Sequence, residues 1–420
     1  MNKKRSAFSG KIGYVLSAAS ASVGLGNIWR FPYLAAKYGG GIFLLVYIIL
    51  ALTFGYTMIV AESALGRMTR KSPVGAFRSF AKGKKVGWLS FGGWINAIIP
   101  VLIVPYYSVI GGWVVKYLFE YIRGNGSKLA EDGYFSGFIS NGGATEICFV
   151  IFCMFTLVII YAGVQNGIER VSKIMMPILI VLSVIIAIYS VTRPGAIEGV
   201  KYFLVPNVKN FSWMTVVAAM GQMFYSLSIA MGILVTFGSY MRKDTSIEDS
   251  TRNVEIFDTA IAMMAGLMII PAVFAFSGGD PDTLQAGPSL MFITIPKVFA
   301  NMGFGTAVGI LFFVLVLFAA VTSSIALTES AVSTFEDELG WGRKKATVLT
   351  GVIMIALGTL SCLGYGPLDF VKIIGMQFLD FFDFLTNSVM MPIAALMTSL
   401  LVSRVIGVDK IEEEIRHGES

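Results

Sequence analysis

Histidine and paired cysteine are almost missing from this chain. The one histidine, His417, sits in a polar tail, and the three cysteines, Cys148, Cys153 and Cys362, show no paired spacing. A zinc site, a disulfide framework and a histidine-based catalytic centre therefore lack their raw materials, and no enzyme is expected. Charge is scarce too. Asp, Glu, Lys and Arg make up 14% of the 420 residues, against roughly 25% in an average soluble domain. Apolar residues take their place: 55% of the chain is hydrophobic and 45 more residues are glycine. A soluble fold cannot bury that much apolar surface, so the composition specifies an all-α polytopic membrane protein with the lipid bilayer as its main partner. The formal net charge of +6 does not point to nucleic acid, because the basic residues gather in loops on one side of the membrane.

Ten stretches hold the run of about 20 mostly apolar residues that a helical span needs. They are 12–36, 41–66, 88–122, 146–162, 168–191, 213–240, 256–276, 303–335, 346–364 and 378–403. Between the seventh and eighth, DPDTL and GPSL turns flank an apolar run too short to cross. Residues 277–302 therefore read as an extracellular re-entrant or surface loop with short helices. Ten spans put both termini on one side. Twenty-two of the 32 Lys and Arg residues fall on that side, among them Lys3, Lys4, Arg5 and Lys84; nine fall on the other, and Arg30 lies within the first span. The charge asymmetry makes both termini cytoplasmic, in the plasma (inner) membrane. The KKR start, apolar run and Ala-Ser-Ala near residue 20 imitate a signal peptide. The run is short and glycine-rich, however, and leads straight into GLGNIWRFP, which argues against cleavage.

Two spans are interrupted. The first carries Ala19-Ser-Ala-Ser-Val-Gly-Leu-Gly-Asn27, and the sixth carries Gly221-Gln-Met-Phe-Tyr-Ser-Leu-Ser-Ile-Ala-Met-Gly232. Irregular backbone survives in a bilayer only beside a cavity or other protein. Small residues alone would suit close helix packing. Interruptions at the first span of each of two five-span halves, each with an amide side chain, point instead to an inverted-repeat transporter with its site at the midplane. The halves would be residues 1–191 and 192–404, with 405–420 a cytoplasmic tail. Intramembrane charges add candidates: Arg30, Asp258, Asp380 and Asp383, and Glu62, which reads either as functional or as a structural buried acid.

GLGNIWRFPY at 24–33 with the glycine run 39–41, GQMFYSLSIAMG in the sixth span, and TSSIAL followed by FEDELG in the eighth resemble the neurotransmitter:sodium symporter family, in its bacterial amino-acid transporter branch. GIERVSKIMMP in the fifth span and LDFFDF in the tenth are similar too, so the resemblance covers essentially the whole chain. It implies a five-plus-five inverted repeat with discontinuous first and sixth helices, importing an amino acid or amine with sodium. One sodium site would use the Ser22 carbonyl, Asn27, Ser226 and Asp258; a second would use carbonyls of Ser20, Val23 and Ala319 and hydroxyls of Thr322 and Ser323. All are hard oxygen ligands. The substrate carboxylate would meet the N–H groups of Leu25 and Gly26, at a half-helix N-terminus, and the Tyr107 hydroxyl. Its ammonium would meet Ser22, Tyr225, Ser226 and Ser228. Its side chain would rest on Ile103, Tyr107, Tyr225, Met231, Ser324 and Leu327.

Amine-carrying relatives place an acid where this chain has Gly24, so the resemblance implies an α-amino acid. Met231, flexible and standing where many relatives have phenylalanine, leans towards large apolar or aromatic side chains. Arg30 and Asp383 would pair as the outer gate, and Arg5 and Asp337 as the inner one, with Phe8 and Tyr240 beneath. Gly167 and Pro177 would let the fifth span unwind. Tyr47, Gln222 and Ser226 match the chloride site of other relatives, with Asp258 a fixed anion beside them, so no chloride requirement is expected. Most relatives carry one or two further spans after the tenth. A channel would need a continuous polar pore, whereas polar groups here gather at one depth. An amine or other zwitterion carrier and a non-transporting sensor remain as alternatives, and oligomeric state is not readable.

Overall fold

Among the described residues, eight helices are long and apolar enough to cross a membrane: Gly41–Thr69, Gly87–Ile122, Gly142–Tyr161, Val164–Val191, Ile247–Ser277, Gly305–Leu339, Arg343–Leu363 and Phe378–Ile406. The computed structural model describes residues 5–83, 85, 87–280, 282, 284 and 287–418, so Lys3, Lys4 and Lys84 lie outside the described residues. The two spans missing from the eight are the first and sixth, because each is broken. Lys11–Ser22 is followed, after residues 23–25, by Gly26–Arg30 and Phe31–Lys37. Trp213–Ser226 is followed, after residues 227–232, by Ile233–Tyr240. With them the count is the expected ten. The segment after the seventh span holds the short apolar helix Leu290–Ala300, too short to cross.

Packing follows the repeat. The second span lies along the sixth, and the seventh along the first. The fifth packs on the eighth, the tenth on the third, and the third and eighth run against each other. Each of these contacts has its counterpart when the two halves are exchanged, which is what a five-plus-five repeat requires. The two broken spans share the centre of this arrangement, so their irregular backbone is shielded from lipid.

Several helices run past the expected bounds, among them the seventh and the eighth. The seventh helix begins at Ile247, not near 256, with Ser246 accepting from the Asp249 N–H at 3.2 Å as an N-cap. The eighth continues to Leu339. Both extensions are polar helix beyond the bilayer, which a search for apolar runs does not register. The tail also holds the helix Val408–Arg416. Its Glu414 meets the fully buried Arg67 at the end of the second span, Nε to Oε1 2.5 Å. Arg67 also donates to the carbonyls of Thr245, at 2.6 Å, and of Glu414. A buried guanidinium needs such partners, because removing one leaves a costly unpaired charge.

Candidate functional site

The breaks in the first and sixth spans face one another. In the sixth, Ser228, Ala230 and Gly232 take φ of 56°, 60° and 73°. The Ala230 N–H, freed from the helix, donates to Glu62 Oε1 at 2.8 Å. Glu62 therefore satisfies the unwound backbone, the structural side of the two readings left open for it. In the first span Asn27 folds its Oδ1 back onto the Gly24 N–H at 3.2 Å, and the Leu25 N–H donates to the Tyr107 hydroxyl at 3.2 Å.

The residues expected around the substrate line one cavity between the breaks, with Ala21, Asn27, Ile233 and Ser323 added and Ser324 missing. Ser324 is a correction. Its hydroxyl pairs with Thr156 Oγ1 of the fourth span at 3.2 Å, facing away from the cavity. Successive helical residues point about 100° apart, and here it is Ser323 that is turned to the break. The side chains close in until only about 30 Å³ is free. Backbone approaches are tight. A Cβ on Gly24 would lie 2.4 Å from Ser323 Oγ and 3.0 Å from the Tyr107 hydroxyl, and one on Gly26 would lie 2.4 Å from Tyr225 Cε1.

Two oxygen clusters flank this cavity. In the first, Asp258 Oδ1 accepts from Ser226 Oγ at 2.5 Å and from Asn27 Nδ2 at 3.0 Å, while Oδ2 accepts from the Tyr47 hydroxyl at 2.6 Å. Asn27 Nδ2 also reaches Ser226 Oγ at 3.1 Å. All four residues are buried. Gln222 Nε2 donates to the Gly26 carbonyl at 3.2 Å. That carbonyl also accepts from the Phe31 N–H, so the amide takes its second lone pair. In the second cluster Ser323 Oγ donates to the carbonyls of Val23, at 3.1 Å, and Ala21, at 3.2 Å. Thr322 Oγ1 bonds the Ala319 carbonyl at 3.2 Å. Ser20 Oγ pairs with Ser172 of the fifth span at 2.9 Å, so that span touches the cluster.

On the side of the termini the path is shut. Arg5 Nη1 meets Asp337 Oδ1 at 2.5 Å, and its other nitrogen, Nη2, reaches Ser239 at 2.9 Å and Ser333 at 2.8 Å. Phe8 packs edge-on against Tyr240, centroids 6.0 Å apart. The Tyr240 hydroxyl donates to Glu329 at 2.6 Å, and Arg343 forks onto the same carboxylate at 2.5 and 3.0 Å. Glu329, Arg343, Ser239 and Ser333 were not foreseen from sequence. The readable signal was Glu329, a lone acid inside the apolar run of the eighth span. The N-terminal segment is also tied to the fifth span near Gly167. Ser9 N–H donates to Glu169 at 2.9 Å, and Gln165 Nε2 to the Ala7 carbonyl at 2.7 Å. Pro177 lies further along the same span, inside its helix.

On the opposite side a vestibule of about 370 Å³ descends past Arg30, Asp380 and Asp383 to Tyr107 and Tyr225. The expected pair of Arg30 with Asp383 is not formed here. The Arg30 guanidinium lies over the Tyr225 ring, 5.0 Å from its centroid. Asp383 accepts from Tyr106 at 3.0 Å and Asn387 at 2.6 Å. An aromatic face and two neutral donors hold the two charges apart while the vestibule is open.

The model of the family described as "Sodium:neurotransmitter symporter family" matches residues 5–127 and 134–419. An uncharacterized sodium-dependent transporter of Bacillus subtilis (strain 168), YhdH, is 36% identical over 98% of this chain and 90% of its own length. The human sodium- and chloride-dependent GABA transporter 2 is 26% identical, over 98% of this chain and 75% of its own. The crystal structure of MhsT in complex with L-phenylalanine superposes with a TM-score of 0.88 at 37% identity, covering 98% of this chain and 93% of that one.

Proposed function

The chain belongs to the sodium:neurotransmitter symporter family of sodium-dependent membrane transporters, and on that premise we propose that it imports an α-amino acid with a large apolar or aromatic side chain. The observation that carries the substrate class is Gly24. With Ser323 and Tyr107 pressed against it there is no room for an acid side chain to hold an ammonium, so the substrate brings its own carboxylate. That carboxylate takes the place of the Tyr107 oxygen on the Leu25 N–H, with the Gly26 N–H beside it at a half-helix N-terminus. The ammonium is taken by carbonyls freed in the two breaks. Met231 is unbranched and can turn aside to admit a ring. The phenylalanine held by the solved relative supports the same choice.

Sodium is the co-transported substrate. Asp258, Ser226 and Asn27, with the Ser22 carbonyl, form one hard donor set, and the Val23 and Ala319 carbonyls with Ser323 and Thr322 form a second. Asn27 turns its nitrogen to Asp258 in this structure. A cation there draws the amide through a half-turn that presents Oδ1 to it and gives up the bond from the Gly24 N–H. The sealed inner side and open vestibule are the outward-facing half of an alternating-access cycle, with the termini cytoplasmic. In the other half Arg5 leaves Asp337 and the fifth span loosens at Gly167.

A thermal-shift screen tests the reading. Bound ligand at about a hundred times its dissociation constant adds about 2.7 kcal/mol of stability. Phenylalanine, tyrosine, tryptophan or leucine should raise the melting temperature only when sodium is present, and an amine without a carboxylate should not. Stabilisation by the amine alone would overturn the substrate class. The outer gate gives a second expectation. Asp383 closes on Arg30 after substrate enters, so Asp383→Asn should cut uptake about tenfold or more, the loss of one charge-assisted contact. Asp380→Asn, further up the vestibule, should cost less. The reverse ranking would make Asp380 the gate.

A further inference from the structure

The fourth and ninth spans leave an apolar groove between them, on the half of the membrane nearest the termini. Met154, Leu157, Val158 and Tyr161 form one wall, and Thr347, Val348, Gly351 and Val352 the other, around about 370 Å³. From Met154 to Tyr161 it runs about 10 Å along the helix, most of the roughly 15 Å hydrocarbon depth of one leaflet. Its mouth is polar in an ordered way. Lys344 stands over the Tyr161 ring, Nζ 5.6 Å from the centroid, and Lys345, next in the chain, is exposed. Among the described residues neither lysine has a carboxylate partner, whereas Arg343 next to them is taken up by Glu329. One turn deeper, Thr347 lines the groove at 4% exposure, and its Oγ1 has no hydrogen-bond partner. A buried hydroxyl without a partner costs free energy, so its orphan state needs an explanation.

We infer that this groove binds one anionic glycerophospholipid from the leaflet on the side of the termini. The three features fall in the order in which such a molecule presents its chemistry. The lysines meet the phosphate at the membrane surface. Thr347, whose buried hydroxyl has no partner, lies just below it at the depth of the ester groups. Val348, Val352, Leu157 and Val158 flank an acyl chain. A second copy of this chain fits less well, because a two-fold contact would bring two more unpaired cations to the same mouth.

Native mass spectrometry after mixed-lipid extraction tests this, with phosphatidylglycerol and phosphatidylcholine as probes. The wild-type protein should retain phosphatidylglycerol over phosphatidylcholine by at least about tenfold, as two surface cations would give. Lys344→Ala with Lys345→Ala should erase that preference, and Thr347→Val should weaken retention of both lipids. Val352→Trp, at a position 60% exposed, should fill the groove and remove both. Sodium-dependent stabilisation by amino acid should persist in every variant, which confirms folding. Equal retention of the two lipids, or a preference that survives the double substitution, would overturn the inference. So would cross-linking of Val352→Cys between copies that carry no lipid.

Discussion

Asp258→Asn is expected to weaken sodium binding on the order of a thousandfold in chloride-free medium. The carboxylate stands among Ser226, Asn27 and Tyr47, and a unit charge about 4 Å from a sodium ion is worth about 4 kcal/mol at an effective dielectric of 20. Asparagine keeps the shape and most hydrogen bonds, so the loss reports the charge. On the proposal that Asp258 is the anion of the sodium site, the wild type should take up substrate equally in chloride and gluconate. Asp258→Ser opens room for an external anion, and chloride should restore part of its activity. On the same proposal, a proton taken up by Asp258 would neutralise this charge when the empty carrier returns. Wild-type uptake that stops without chloride, or an asparagine variant with normal sodium affinity, would refute the assignment.

Gly24→Asp should abolish amino-acid uptake. The new carboxylate would sit against Ser323 and Tyr107, within about 4 Å of the substrate's own. That repulsion is worth about 4 kcal/mol, again roughly a thousandfold. Gly24→Ala separates space from charge. Its Cβ pushes the Ser323 hydroxyl off the Val23 carbonyl, an overpacking cost of about 1–3 kcal/mol, so uptake should fall on the order of tenfold and the sodium requirement rise with it. If the aspartate variant carried the amino acid as well as the alanine variant does, the carboxylate would bind elsewhere. Radiolabelled uptake across a sodium series reads both variants.

Much of this was legible in the sequence for a physical reason: a bilayer forbids unpaired backbone, so interrupted apolar runs such as 19–27 and 221–232 announce a cavity. The residues lining it came instead from the likeness of GLGNIWRFPY, GQMFYSLSIAMG and TSSIAL to the family's motifs. What could not be read was rotation and distance. Ser324 and Ser323 are neighbours in sequence, and only the packing of the eighth span on the third and fourth decides which faces inward. Arg343 and Glu329 are 14 positions apart, on two helices whose turn sets their approach. The docked tail helix had a signal in Val408, Ile411 and Ile415 spaced among charges. Its partner Arg67 lies at the far end of the sequence, beyond any local pattern.

The central claim is sodium-coupled uptake of an amino acid, and accumulation in proteoliposomes tests it most directly. With both proposed sites coupled, two sodium ions, each driven by about 2.3 kcal/mol per 100 mV and about 1.4 kcal/mol per tenfold gradient, would supply about 7 kcal/mol, enough for accumulation on the order of 10⁵-fold at equilibrium. With sodium outside and an inside-negative potential, labelled phenylalanine or a similar amino acid should concentrate far above equilibration. It should leak out when the gradient collapses, and stay at background in Asn27→Ala and Ser323→Ala vesicles at the same sodium. Uptake that is unchanged when potassium replaces sodium, or that never exceeds equilibration, would contradict the account.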